Sequence, residues 1–504
     1  MAIFSLHDEQ PPAPQPPRRK SRFPFKAALA FATVATCLIA WHIRINRAGG
    51  LDPAILAEAF HLHWPAPPPA PVPGNIARPG ANLPPPSPVL VDDSNTLDPF
   101  FAALWNLEQG SKEGKASGIV TILHYGDSPT TADLITGDIR AQLQAKFGDA
   151  GRGYTLIAKP WAWYGHRGVE ISDHGWKWRT GVGLMRQGIY GLGGAAFDGQ
   201  PGAWSKFRLT ESQQTALDVE YLARPGGGEF EVDADDANID QKIAGQSTAS
   251  DTQAVAFLHV ELPAGTKAVT LRPTEGIVTL FGIDFRRGAN GLLYDSLGLN
   301  GATTSVLARV LEPDLWKAEL AHAGPALVIV NYGSNESSFG KFVHTQYANE
   351  LRLAIQRIRQ AAPGVPIMIM SPMDRGERNG LDDIETMSTI PEIVAIQRQV
   401  AAEQHCAFFN TFDAMGADGT MARWYAASPR LVTADLLHPT PQGATIVAGL
   451  FISQLELRYD RWKMQHGIAL PPPPATAAPR TAEIKVGLRP SPSPHHTVKK
   501  GKKQ

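Results

Sequence analysis

Hydrophobic positions along this chain follow two rhythms. In the first, a short unbroken apolar run precedes an amphipathic stretch. Ile119-Val120-Thr121-Ile122-Leu123 is such a run, leading to Gly126, and Ile135, Ile139, Leu143 and Phe147 then recur on one helical face. The same order returns far downstream. Leu327-Val328-Ile329-Val330 precedes Tyr347, Leu351, Ile355 and Ile358; Ile367-Met368-Ile369-Met370 precedes Ile393, Ile396 and Val400; Ala407-Phe408-Phe409 closes the series. Runs apolar throughout are strands buried on both faces, and the helices between them are crossovers. The pattern therefore predicts an α/β domain on a parallel sheet. The second rhythm is alternation, and it fills residues 165–287. Leu217-Asp218-Val219-Glu220-Tyr221-Leu222, Phe230-Glu231-Val232, Val255-Ala256-Phe257-Leu258, Val269-Thr270-Leu271 and Val278-Thr279-Leu280-Phe281 follow one another with no helical spacing between them. This predicts an all-β sandwich inserted into the α/β pattern, with its ends close enough for excision.

The two ends of the chain read differently. Residues 27–43 carry no charge and follow Arg18, Arg19, Lys20, Arg22 and Lys26. An apolar span behind a basic flank predicts one transmembrane signal anchor with residues 1–26 in the cytoplasm. The rest of the chain then faces the periplasm or exterior from the inner membrane. Residues 44–94, with Pro65, Pro67, Pro68, Pro69, Pro84, Pro85 and Pro86, read as a semi-rigid linker. Residues 466–504, with Pro471 to Pro474 and a basic end, read as a disordered tail. Between them the α/β domain occupies 95–164 and 288–465, split by the insert. Over all 504 residues, 47 Lys and Arg balance 48 Asp and Glu, which argues against nucleic acid as a partner. Cys37 and Cys406 cannot build a disulfide framework, and no Cys/His cluster has zinc-ligand spacing. No metal or cofactor is expected.

Four short motifs carry candidate chemistry. Gly126-Asp127-Ser128 sits where the first strand turns into a helix, which exposes Ser128 at the carboxyl end of the sheet, near a helix N-terminus. Ser128 can equally be a helix cap. Asp435-Leu436-Leu437-His438 places an acid three residues before a histidine, so one turn can bring both side chains together. The acid can then fix the imidazole tautomer while the other ring nitrogen faces a serine; a surface histidine beside an acidic cap is the bland alternative. Asn335, in Tyr332-Gly333-Ser334-Asn335, emerges after the second apolar run, where its amide can donate to an oxyanion. Gly301, in Leu299-Asn300-Gly301-Ala302, offers a bare backbone N–H for the same purpose.

Taken together, Ser128, Gly301, Asn335 and Asp435-x-x-His438 resemble the SGNH (GDSL-like) hydrolase superfamily, over about 95–160 and 290–460. The resemblance implies a flavodoxin-like three-layer sheet flanked by helices. It also implies Ser128 as nucleophile, Asp435 and His438 as its triad partners, and an oxyanion site from Ser128, Gly301 and Asn335. Phe147-Gly148-Asp149-Ala150-Gly151-Arg152-Gly153 and Tyr294-Asp295-Ser296-Leu297-Gly298 are similar to segments of bacterial envelope O-acetylesterases that act on peptidoglycan. Those enzymes carry an insert resembling a carbohydrate-binding module. The departure is Pro129-Thr130-Thr131-Ala132-Asp133, expected to floor the pocket. The implied activity is serine-esterase removal of O-acetyl groups from an envelope polysaccharide, with Trp161 and Trp163 as substrate contacts. Polysaccharide O-acetyl transfer through the same triad, beside acetyl-transfer or polysaccharide-synthesis machinery, and non-catalytic glycan binding are the alternatives.

Overall fold

A computed structural model describes residues 88–470, apart from 115–116, 184–187, 212, 237–238 and 381–382. The expected signal anchor at 27–43, residues 1–26, most of the linker and most of the tail lie outside the described residues. Among those described, no helix is long and apolar enough to cross a membrane.

The apolar runs form one six-stranded sheet in the order Leu90–Val91, Ala407–Phe409, Ile367–Met370, Pro325–Asn331, Ile119–Gly126 and Gly291–Gly298. The last five strands run parallel. The expectation of a purely parallel sheet needs one correction: Leu90–Val91 adds to the Ala407–Phe409 edge antiparallel. The helix Asp98–Glu113 follows it and leads across three intervening strands into Ile119–Gly126. Alternate residues of each strand enter two different cores, as a two-residue side-chain period requires. Ile122, Leu327, Ile329, Met368 and Phe409 pack with the helices Asp98–Glu113, Ile135–Phe147 and Pro441–Gln465. Leu123, Tyr125, Val328, Val330, Ile369 and Phe408 pack with Pro313–Ala323, Tyr347–Ala361 and Thr389–Glu403. The result is helix, sheet and helix in three layers.

A polar chain crosses the middle of this sheet. Tyr294 Oη lies 2.7 Å from His124 Nδ1, and His124 Nε2 lies 3.4 Å from Asn331 Oδ1. The Asn331 amide donates to the carbonyls of Met370 and Ser371, at 2.9 and 3.2 Å. Burial lowers the imidazole pKa to about 4, so His124 is a neutral bridge. The chain fastens four neighbouring strands near their carboxyl ends.

The alternating segment forms two facing antiparallel sheets. One has the order Ile239–Ser247, Glu229–Asp236, Ala268–Glu275, Trp204–Leu209 and Val169–His174; the other runs Ala254–Glu261, Ala216–Ala223, Val278–Arg286, Ala195–Gly199 and Lys177–Thr180. Strand Gly153–Leu156, from before the alternating segment, pairs with Val278–Arg286. Phe207, Phe230, Phe281 and Phe285 are fully buried between the sheets, each stabilising by about 1.5–3 kcal/mol over an exposed position.

The sandwich interior is continuous with one face of the α/β sheet: Phe207, Val232, Val269 and Leu271 belong to the same apolar cluster as Leu123, Tyr125, Val328 and Trp316. Phe257 stacks on His322 with ring centroids 3.6 Å apart, and His322 Nε2 lies 3.0 Å from Asp218. Tyr154 donates its backbone N–H to Asp295 and its hydroxyl to Glu220, at 3.0 and 2.7 Å. Excision of 165–287 across a short linker therefore takes Phe257 and Asp218 from His322 and Glu220 from Tyr154, and removes the pairing strand of Gly153–Leu156. The excised protein is expected to lose its cooperative thermal unfolding transition. A cooperative transition together with retained turnover of a small aryl acetate would show instead that the α/β part folds alone.

Candidate active site

The strand Ile119–Gly126 delivers the chain to the carboxyl edge of the sheet, and the turn beyond it is tight. A Cβ on Gly126 would lie 2.2 Å from Thr130 Oγ1, so only glycine allows the following helix to fold back so closely. Asp127 is extended, and its carbonyl accepts from the N–H groups of Thr130 and Thr131 at 3.0 and 3.1 Å. Ser128 begins the one-turn helix Ser128–Thr131. Pro129 is compatible because first-turn N–H groups have no helical partner. The adjacent strand end makes room as well: a Cβ on Gly298 would meet Thr131 N at 2.3 Å.

The histidine comes from the opposite end of the chain. Val432 and Pro439 form an antiparallel bridge, and Thr433 N donates to the His438 carbonyl at 2.9 Å. Inside that loop Leu436 is left-handed, with φ +60°, and its side chain is buried. The strained residue closes the turn between Asp435 and His438. Thr440 then caps the helix Pro441–Gln465, with Pro at the first helical position, which stops the loop sharply.

These two turns meet. His438 Nε2 lies 2.7 Å from Ser128 Oγ, and His438 Nδ1 lies 2.6 Å from Asp435 Oδ2. The other oxygen of Asp435 accepts from the Thr433 hydroxyl at 2.6 Å and from the N–H groups of Leu437 and His438, both at 3.1 Å. Burial pushes this carboxyl up, but the Thr433, His438 and backbone hydrogen bonds outweigh it and leave the pKa at about 2. Asp435 is thus ionised and fixed toward the imidazole. Ser128 is buried, whereas the side chains of His438 and Asp435 are 37% and 51% exposed, so the site is open to water from the histidine side. Such a line can pass the serine proton to the imidazole and hold the resulting cation.

Gly301 and Asn335 are joined to each other. Gly301, with φ +76°, tips the turn after Gly291–Gly298, and the Asn335 amide donates to the Ala302 carbonyl at 2.8 Å. Trp163 is 57% exposed and donates its indole N–H to Asn300 Oδ1 at 3.3 Å, beside Gly301. Trp161 is half-buried and tilts against Trp178 with ring centroids 6.4 Å apart. Their loop is tied to the Ser128 helix by Gly165 N, which donates to the Thr131 carbonyl at 3.3 Å.

The segment after the serine is braced from within the protein. Thr130, Thr131 and Asp133 are buried and face the protein. Thr131 Oγ1 donates to the Asp127 carbonyl at 3.1 Å. Asp133 accepts from Arg140 Nη2 at 2.5 Å, Thr136 Oγ1 at 2.6 Å and Arg167 N at 2.8 Å. Burial pushes the Asp133 carboxyl up, and the Arg140 charge, His166 and these hydrogen bonds bring it down to about 2. This brace holds the far end of the nucleophile turn.

Sequence reasoning passed over Glu336. Its buried carboxylate accepts from Thr304 N at 2.7 Å, Thr304 Oγ1 at 2.8 Å and Gly333 N at 3.1 Å, stitching the Gly301 loop to the Asn335 turn. Only its place beside Asn335 could have drawn attention to it. Buried Asp127 shares this neighbourhood: burial first, then the Glu336 charge, raise its pKa to about 8 against hydrogen bonds from Ser334.

Residues 270–446 match the model of the GDSL-like Lipase/Acylhydrolase family. That segment contains Gly301, Asn335, Asp435 and His438; Ser128 precedes it. No curated protein matches the chain. Among solved structures, a peptidoglycan O-acetylesterase is 22% identical, with a TM-score of 0.63, covering 74% of this chain and 99% of its own. At that identity the likeness is one of fold. An acetyl xylan esterase is 18% identical, with a TM-score of 0.25, over 32% of this chain and 79% of its own.

The raised pKa of Asp127 has a measurable sign. Between about pH 4 and pH 8 the folded protein keeps a proton that the unfolded chain has released, so this group makes stability fall as pH rises through that window. Asp127→Asn should make the decline in urea midpoint from pH 5 to pH 8 shallower. An unchanged slope would mean that Asp127 is ionised in the folded protein.

Proposed function

We propose that this chain, whose residues 270–446 match the GDSL-like Lipase/Acylhydrolase family, is an ester hydrolase that removes O-acetyl groups from a cell-envelope polysaccharide, peptidoglycan or an exopolysaccharide. The observation that carries this reading is the hydrogen-bonded line from Asp435 through His438 to Ser128. In the proposed mechanism His438 Nε2 takes the Ser128 proton as Ser128 Oγ attacks the acetyl carbonyl, and Asp435 holds the imidazolium. The oxyanion is received by the N–H groups of Ser128 and Gly301 and by the Asn335 amide. The sugar hydroxyl leaves with the proton from His438, and water, activated by the same imidazole, releases acetate.

The substrate assignment is supported by the fold shared with a peptidoglycan O-acetylesterase and by the exposed Trp163 beside Asn300. An exposed indole offers a sugar ring an apolar face with a polar edge. Hydrolysis is favoured over acetyl transfer because His438 and Asp435 lie open to solvent, whereas transfer requires water to be kept from the acyl-enzyme. In this reading the segment 27–43 anchors the enzyme in the inner membrane with its site facing the periplasm or exterior.

Full-length protein incubated with O-acetylated peptidoglycan and with an O-acetylated exopolysaccharide should release acetate from at least one. Ser128→Ala should lower that release and aryl acetate turnover by about 10^4–10^6-fold, since triad members act as a unit. Aryl acetate turnover with no acetate from either polymer would overturn the substrate reading. A Ser128→Ala protein with near-normal turnover would overturn the nucleophile.

A further inference from the structure

The segment after strand Ile367–Met370 runs along the same sheet edge as the site and is fixed to the sheet by Ser371 N, which donates to the Phe409 carbonyl at 2.9 Å. It presents Arg375. One guanidinium nitrogen, Nη1, shares its two N–H groups among the Ser334 carbonyl at 2.7 Å, Ser338 Oγ at 2.8 Å and Ser337 Oγ at 2.9 Å. All three acceptors belong to the turn that carries Asn335. The same stretch of backbone reaches the histidine loop: Gly376 N donates to the Leu436 carbonyl at 2.9 Å, and Met387 N donates to the Arg375 carbonyl at 2.8 Å. Gly376 packs closely there, since a Cβ on it would meet the Leu436 Cβ at 3.1 Å. Half-buried Arg375 loses proton affinity through burial, opposed by its acidic neighbours Asp127, Asp435 and Glu377; the first two flank Ser128 and His438. A guanidinium nonetheless remains charged and keeps its donors.

We propose that Arg375 is a positioning residue for ester hydrolysis, clamping the Ser334–Ser338 turn to the segment that carries the His438 loop. Two turns far apart in sequence have to present an amide donor and an imidazole to the same ester group. Among the described residues, no backbone hydrogen bond joins the two turns directly. Glu336 fixes the Asn335 turn to the Gly301 loop, and Arg375 supplies the complementary tie on the histidine side. This inference rests on the oxyanion role given to Asn335 above.

A double-mutant cycle on a small aryl acetate tests it, using Asn335→Ala, Arg375→Gln and the two combined. Asn335→Ala should lower kcat by about 10^2–10^3-fold. Arg375→Gln should lower kcat by about 10- to 100-fold with little change in KM, the order expected when a reacting group is displaced by about an ångström. Combined, the two should be no slower than Asn335→Ala alone to within about twofold, because the clamp acts through that amide. Arg375→Lys should recover most of the rate, as an ammonium supplies three N–H donors and keeps the charge. Ser337→Ala with Ser338→Ala, which removes two acceptors and leaves the arginine, should lower kcat in the same direction, and this holds the test open if Arg375→Gln does not fold. Additive losses in the cycle, or a loss confined to KM, would overturn the inference while leaving the oxyanion assignment in place. Full activity of Asn335→Ala would overturn both.

Discussion

A single 2.7 Å contact, between Ser128 Oγ and His438 Nε2, joins residues 310 positions apart, and most of the architecture can be read as the means of keeping it. Each residue is held by a tight turn of its own. Ser128 is placed by a strand end and a helix start that approach within the limits of glycine, at Gly126 and Gly298. His438 is placed by a loop that accepts an unfavourable conformation at Leu436 and is tied back at both ends. A shift of an ångström in either support would lengthen the contact beyond a hydrogen bond. The parallel sheet is what makes both supports rigid, since it gathers strand ends from across the chain along one edge.

The electrostatics of this edge divide into two groups. Asp435 and Asp133 are surrounded by donors and stay ionised. Asp127 and Glu336 are buried near each other, and burial raises both. Ionising both at once would place like charges in a medium that screens them poorly, so at least one proton stays with the pair. A neutral carboxyl can donate as well as accept, which suits a junction where three turns must be fastened together without adding charge beside Ser128.

Much of this was legible in the chain. The alternation of apolar runs with helical faces foretold the sheet, because strands buried on both sides leave no polar positions. Asp435 and His438 were legible because three residues suffice to close a turn, and Ser128 because Gly-Asp-Ser follows a strand. The antiparallel strand Leu90–Val91 was not legible: two residues carry no period. The brace on Asp133 was only partly legible, because Arg140 is near in sequence but Arg167, 34 residues on, is brought to it by tertiary folding. Glu336 and Arg375 escaped for the same reason, since their acceptors and donors lie 32 to 41 residues away or on the far side of a turn. Local patterns report which face a residue takes; they do not report which other loop will be waiting there.

The shared apolar cluster also bears on how such a chain could change over generations. A sandwich with its own sealed core can be traded between proteins like a cassette, because its loss exposes nothing. Here Leu123, Val328 and Trp316 sit in one cluster with Phe207, Val232 and Leu271. A descendant that shed the sandwich would break that cluster open, and apolar surface uncovered in this way favours association until polar replacements accumulate. The intermediate steps would be selected against, so the two parts are held together in heredity by the same packing that holds them together in space.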